Sequence, residues 1–88
     1  MPKVVIAHSV VDIDRWLAGK AERAELIGPV GKNVQDHVAL DGSNQAAVTV
    51  EVDDMAALQA MVDSPPAEVA GLMEKHGVIP PLTIYVEK

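Results

Sequence analysis

Histidine, glutamate and tyrosine are among the residue types in this chain that could move a proton or polarise a carbonyl, and His37, Glu51 and Tyr85 each fall in an alternating stretch. His37 lies in NVQDHVAL, Glu51 in QAAVTVEV and Tyr85 in LTIYVEK. Histidine titrates near neutral pH, and a buried carboxylate neighbour raises its pKa. His37 is therefore a candidate general base, with Thr49 and Glu51 to orient or charge it, and Glu51 is itself a candidate acid or base. Tyr85 could donate its hydroxyl to a carbonyl or stack on a ring. Gln35, Thr49 and Thr83 share the same face and are candidate substrate-binding residues. Each has a plainer reading beside the chemical one: an exposed or interface histidine, a solvated or cross-strand-paired glutamate, a tyrosine packed at an interface with a wet tip.

The other two histidines read as structural. His8 shares a strand face with Val4, Ile6 and Val10 and fits a core histidine satisfied by a backbone group. His76 precedes Gly77 and fits a cation at a helix C-terminus. No H-x-H, H-x₃-H or H-E-x-x-H spacing is present, so no metal site is expected. There is no cysteine, which removes disulfides, iron–sulfur ligation and thiol nucleophiles. No G-x-G-x-x-G or phosphate-cradling loop appears, and no cofactor is expected.

These residues depend on the elements that carry them. Residues 3–10 alternate with high β-branched content and read as a strand. A helix starts at Asp12 or Asp14, either of which can cap its free N–H groups. Its apolar stripe is Ile13, Trp16, Leu17, Ala21, Ala24 and Ile27; Arg15, Lys20, Glu22, Arg23 and Glu25 fill the outer face. Gly28-Pro29-Val30-Gly31 ends it. Residues 33–40 form a second strand, in which Val34, Val38 and Leu40 share a face with Asp36. An edge position would let that carboxylate reach water. Asp41-Gly42-Ser43-Asn44 is the turn. The hydrophobic pattern sets Val38 opposite Val48, His37 opposite Thr49 and Gln35 opposite Glu51, through a loop of three or five residues.

The following strand, QAAVTVEV, turns Ala46, Val48, Val50 and Val52 toward the helices. Asp53 or Asp54 caps the next helix, with Met55, Leu58, Met61 and Val62 as its stripe. Ser64-Pro65-Pro66 interrupts it, and the second piece, with Val69, Leu72 and Met73, stops at Gly77. Leu82, Ile84 and Val86 alternate in a last strand, with the prolines before it. The order β-α-β-β-α-β predicts a single α+β domain over residues 1–88. It is a ferredoxin-like unit with a four-stranded antiparallel sheet in order 4-1-3-2 and both helices on one face.

Composition bounds the partners. The 88 residues carry 13 acids and 7 bases, a net charge of −6. That excludes the basic footprint needed for nucleic acid or an anionic membrane. Two aromatic residues, Trp16 and Tyr85, cannot build a base-stacking platform. No apolar run reaches the ~18 residues of a membrane span. No signal peptide is expected, and a cytoplasmic location is the default expectation. The sheet face without helices (Val5, Ala7, Gln35, His37, Thr49, Tyr85 and neighbours) is too apolar for a wet face and too polar for a sealed core. Two such faces brought together would cover each other around a polar-lined cavity, which predicts a homodimer with room for a small-molecule ligand.

Three stretches, VVIAHSVVDIDRW, EVDDMAAL and SPPAEVAGLMEKHGVIPPLTIYVEK, resemble the small dimeric α/β-barrel proteins that include the antibiotic-biosynthesis-monooxygenase-like domains. The resemblance spans nearly the whole chain. It implies two ferredoxin-like sheets facing each other in a dimer, with a cavity between sheet and helices or within the barrel. The activities it implies are cofactor-independent oxygenation of aromatic polyketides, haem degradation, or dehydratase and isomerase chemistry. Haem-degrading relatives rely on an Asn, a Trp and a helix His. Here Trp16 lies on the first helix, His76 next to a helix stop and Asn33 and Asn44 near loops, a departure from that pattern. Beside an enzyme of oxygenase or acid–base type acting on a small carbonyl or aromatic compound stand two other readings: a non-catalytic ligand-binding or regulatory module, and a purely structural dimer.

Overall fold

A computed structural model describes residues 2–88. The elements are β1 (Lys3–Val10), α1 (Ile13–Ala18), α2 (Lys20–Ile27), β2 (Gly31–Val38), β3 (Gln45–Val52), α3 (Met55–Asp63), α4 (Ala67–Lys75) and β4 (Val78–Val86). All neighbouring strands are antiparallel. Their order is β2-β3-β1-β4, the expected ferredoxin-like topology with each helix in two pieces. Helices cover one face. The core beneath them has two clusters, one around Val4, Val50, Val52 and Leu58, the other around Val10, Trp16, Ala46 and Val48. Among the described residues, no helix is long and apolar enough to cross a membrane.

Local signals place most boundaries. Asp12 accepts from the Asp14 N–H and Asp54 from the Ala57 N–H, so each caps its helix through a side-chain oxygen. The Arg15 guanidinium donates to the carbonyls of Glu74 (2.8 Å) and Lys75 (2.9 Å). It thereby satisfies the open C-terminus of α4 and fastens it to α1. Gly77 then turns the chain at φ +73°.

Four local expectations are corrected. First, the helix after β1 breaks at Gly19 rather than running through to Gly28. The break shifts the helical phase, so Ala21 faces out and Arg23 faces in. Second, β2 carries a bulge. Its pairing slips by one between Lys32–Glu51 and Gln35–Thr49, where Asn33 adopts φ 55°. Asparagine tolerates that conformation. Without the extra residue, alternation from the inward Gly31 would turn Val34 and Asp36 outward. Third, the β2–β3 register is displaced by two residues from expectation. Gln35 opposes Thr49, His37 opposes Ala47 and Val38 opposes Ala46. The loop of five residues, 40–44, keeps each side chain on its expected face but leaves Leu40 fully exposed. Fourth, β4 begins at Val78, before the prolines. Ile79 pairs with Ser9 and Thr83 with Ala7, so Pro80 and Pro81 occupy an irregularity on the edge strand, where no ladder N–H is needed.

A Cβ on Gly19 would overlap the imidazole ring of His76. Gly19→Ala should therefore destabilise the fold by about 1–3 kcal/mol. Gly71→Ala, on α4 with open space at its Cβ, should stabilise it by about 0.5–1 kcal/mol. Urea unfolding midpoints of the two variants check this opposite pair of signs.

Candidate functional site

A cleft of about 400 Å³ opens between the helices and the sheet. Ile6, Val48 and Ile84 of the sheet and Ile27, Leu58 and Leu72 of the helices supply apolar wall, and His8, Arg23 and His76 are its strongly polar groups. An apolar hollow with a few convergent polar groups is the common form of a small-ligand site. Alternation along β1 puts His8 on the same face as Val4, Ile6 and Val10. The break at Gly19 turns Arg23 inward, and the end of α4 brings in His76.

Arg23 is the centre of the polar end. Its Nη2 donates to Asp36 Oδ2 at 3.0 Å, and its Nη1 to the Trp16 carbonyl. Its Cζ lies 4.1 Å from the centroid of the Trp16 ring, a cation–π contact. Nη1 also lies 3.1 Å from His76 Nδ1. A guanidinium only donates, so Nδ1 accepts and the His76 ring proton belongs on Nε2. That nitrogen faces Glu22 Oε1 at 3.5 Å. Lys75 also donates to Glu22, and these bonds, Lys75 first and His76 second, hold the Glu22 carboxyl below its ordinary range. Among the described residues, Trp16 Nε1, Arg23 Nε and Asp36 Oδ1 are buried without a hydrogen-bond partner.

His8 is fixed differently. Its Nδ1 lies 3.1 Å from the Ser9 carbonyl, to which it must donate, leaving Nε2 as an acceptor. Its ring makes a T-shaped contact with Trp16, centroids 5.7 Å apart at 73°. Burial, and secondarily the Arg23 charge, push its pKa down against the raising effect of the Ser9 carbonyl. The result is a neutral imidazole with one free basic nitrogen in an apolar hollow.

The six residues singled out from the sequence lie together on the opposite, helix-free face. His37 Nε2 is 2.9 Å from Thr49 Oγ1, a diagonal contact across the ladder. Gln35 is directly opposite Thr49, and Glu51 accepts from Asn33. Thr83 and Tyr85 are exposed on β4, Tyr85 opposite Val5. The cleft does not include any of the six. One expectation about charge is overturned. Asp36 does not reach water despite its edge strand: its side chain is 3% exposed and paired with Arg23. His76, expected at a helix C-terminus, does cap α4, but it is 3% exposed because Gly19 leaves room for its ring. The sequence did carry one signal for this network. An aspartate sharing a strand face with Val34 and Val38 calls for a buried cation, since an unpaired buried carboxylate is costly.

The sequence matches no family model and no curated protein. Solved structures do resemble the chain. One, described as an antibiotic biosynthesis monooxygenase, superposes at TM-score 0.68 and 18% identity, covering 100% of this chain and 97% of its own. The chain shares its fold. A protein from Bordetella bronchiseptica given the same description superposes at TM-score 0.70 and 14% identity over 99% of this chain and 94% of that one. Another from Deinococcus radiodurans does so at TM-score 0.64 and 11% identity over 100% and 91%. The expected resemblance to antibiotic-biosynthesis-monooxygenase-like proteins thus holds for the architecture across the whole chain.

Removing one partner of a buried ion pair strands the other. Asp36→Ala should cost about 3–5 kcal/mol, whereas replacing both partners, Asp36→Leu with Arg23→Met, should recover most of that loss. A denaturant double-mutant cycle measures both. His8 gives a separate pH signature. Its folded pKa lies below the ordinary value of 6.5, so the unfolded chain binds more protons in between. Stability should fall as pH drops below about 6.5 and level off below the folded pKa. His8→Gln should flatten that slope in urea titrations across the range.

Proposed function

We propose that this chain is a small-molecule enzyme whose site is the cleft between helices and sheet, with His8 as its general base. The observation that carries this reading is the free Nε2 of a neutral, anchored imidazole in a hollow that is otherwise almost wholly apolar. The Ser9 carbonyl holds the Nδ1 proton, so a substrate proton has one place to go, Nε2. Removing a proton from a small carbonyl or aromatic compound leaves an electron-rich anion beside Arg23. Such an anion can isomerise or react with dioxygen without a cofactor. The fold shared with proteins described as monooxygenases supports oxygenation as the reaction.

The helix-free sheet face has a different role in this reading: it pairs with a second copy to make a homodimer. Its small and apolar residues, Val5, Ala7, Ala47 and Thr49, and the exposed Tyr85 support that. A second reading keeps His37, Glu51 and Tyr85 as catalytic residues, with Gln35, Thr49 and Thr83 binding substrate, in a cavity closed by the two sheets. The His37–Thr49 contact favours it.

Native mass spectrometry followed by a turnover screen over small phenols and 1,3-dicarbonyl compounds tests these readings. The expected result is a dimer that consumes oxygen or isomerises a compound. His8→Gln should lower kcat by about 10²–10⁴-fold and His37→Ala should leave it within a few-fold. The reverse pattern would move the chemistry to the sheet face. Saturable binding without product would make the chain a binding module, and a monomer would remove the sheet-to-sheet dimer.

A further inference from the structure

The charges around the polar end of the cleft restrict what it can hold. The groups facing His8 are Arg23 from α2, Asp36 from β2 behind that arginine, and His76 at the end of α4. The cleft wall around them is apolar, with Ile6 of β1, Val48 of β3, Val78 and Ile84 of β4 and Leu58 of α3, and Trp16 of α1 packs on the His8 ring. Arg23 is already neutralised by Asp36 at 3.0 Å. An anion entering alone would add an uncompensated charge to a low-dielectric hollow. A cation entering alone would do the same with the opposite sign. An apolar neutral compound would strip water from His8 Nε2 and put nothing in its place. A weak acid meets none of these objections, because it brings its own compensating proton.

We propose that the cleft takes up a small apolar weak acid, its head group lying between His8 Nε2 and Arg23 and its proton passing to Nε2. This rests on the cleft being the ligand site. In the step the X–H bond breaks, its electron pair stays on X, and an Nε2–H bond forms. Nδ1 keeps its proton on the Ser9 carbonyl, and the ring becomes an imidazolium beside X⁻. The site gains no net charge. Arg23 completes the head-group site: it lines the cleft, is more than nine-tenths buried, and has an Nε without a partner. Both residues line the same cleft and pack on the same indole, His8 in a T-shaped contact and Arg23 over the ring, which puts both at its polar end. The apolar walls take the hydrocarbon body. Seen from solution, where the acid is ionised, binding takes up one proton per ligand.

Calorimetry tests this, with octanoate as probe, octanamide as its uncharged counterpart, and N-phenyl-1-naphthylamine as a fluorescent marker of the cleft. Octanoate is titrated at about pH 7.5 in phosphate and in Tris, whose differing ionisation heats reveal proton exchange. The expected result is displacement of the naphthylamine with uptake close to one proton per octanoate, and affinity falling about tenfold per pH unit on the alkaline side. Octanamide should bind at least about tenfold more weakly, without uptake, the discrimination expected from one charge-assisted contact. His8→Gln should lose the proton uptake while still binding the naphthylamine. Octanoate binding without proton uptake, octanamide binding as tightly, or naphthylamine binding with no octanoate displacement would overturn the weak-acid proposal and leave the cleft as a ligand site. If none of the three probes binds the wild-type protein, the cleft reading fails, and this proposal with it.

Discussion

A guanidinium sits inside this protein, and the arrangement of the helix-covered side follows from what it takes to keep it there. Arg23 is desolvated beneath α2, stacked on Trp16 and paired with Asp36. A buried charge is tolerated only when paired and hydrogen-bonded. Each requirement is met by a departure from regular structure. The helix break at Gly19 turns Arg23 inward. The bulge at Asn33 turns Asp36 inward to meet it. The bare Cα of Gly19 admits the ring of His76, whose Nδ1 takes another of the guanidinium protons. Neither the break nor the bulge has an evident purpose alone; together they deliver both charges to one point.

The network also divides the two histidines of the cleft by role. His76 is committed, with one nitrogen occupied by Arg23 and the other facing Glu22. His8 is anchored through Nδ1 only, so it keeps a free nitrogen, and the neighbouring positive charge helps to hold it neutral. Chemistry in such a hollow depends on which ring nitrogen is available, and here backbone and guanidinium make that choice.

The sheet separates two surfaces of unlike character. On one side lies an apolar hollow with a single polar end. On the other lies a mixed face of small and polar side chains with His37 touching Thr49. The ferredoxin-like topology, with its helices on one face of the sheet, leaves both surfaces. Activity rests with the particular residues placed on them.

The sequence by itself determined the element order, the strand order, the inward set of β3 and the two capped helix starts to within a pair of aspartates, of which the structure uses Asp12 and Asp54. These depend on periodicity and on contacts within a few residues, which a chain states locally. It also determined which side of the sheet His37, Glu51 and Tyr85 occupy, because a strand period of two survives the two-residue displacement in register. Only the tertiary structure decided where the polar centre lies. Arg23 read as an outer-face residue because helical phase was carried unbroken through Gly19, and Asp36 read as wet because β2 is an edge strand. Their pairing is a long-range electrostatic fact: two charges thirteen positions apart are each unfavourable inside and are stable there only together. No local pattern encodes that, and so the cleft, unlike the fold, became visible only once the helices lay on the sheet.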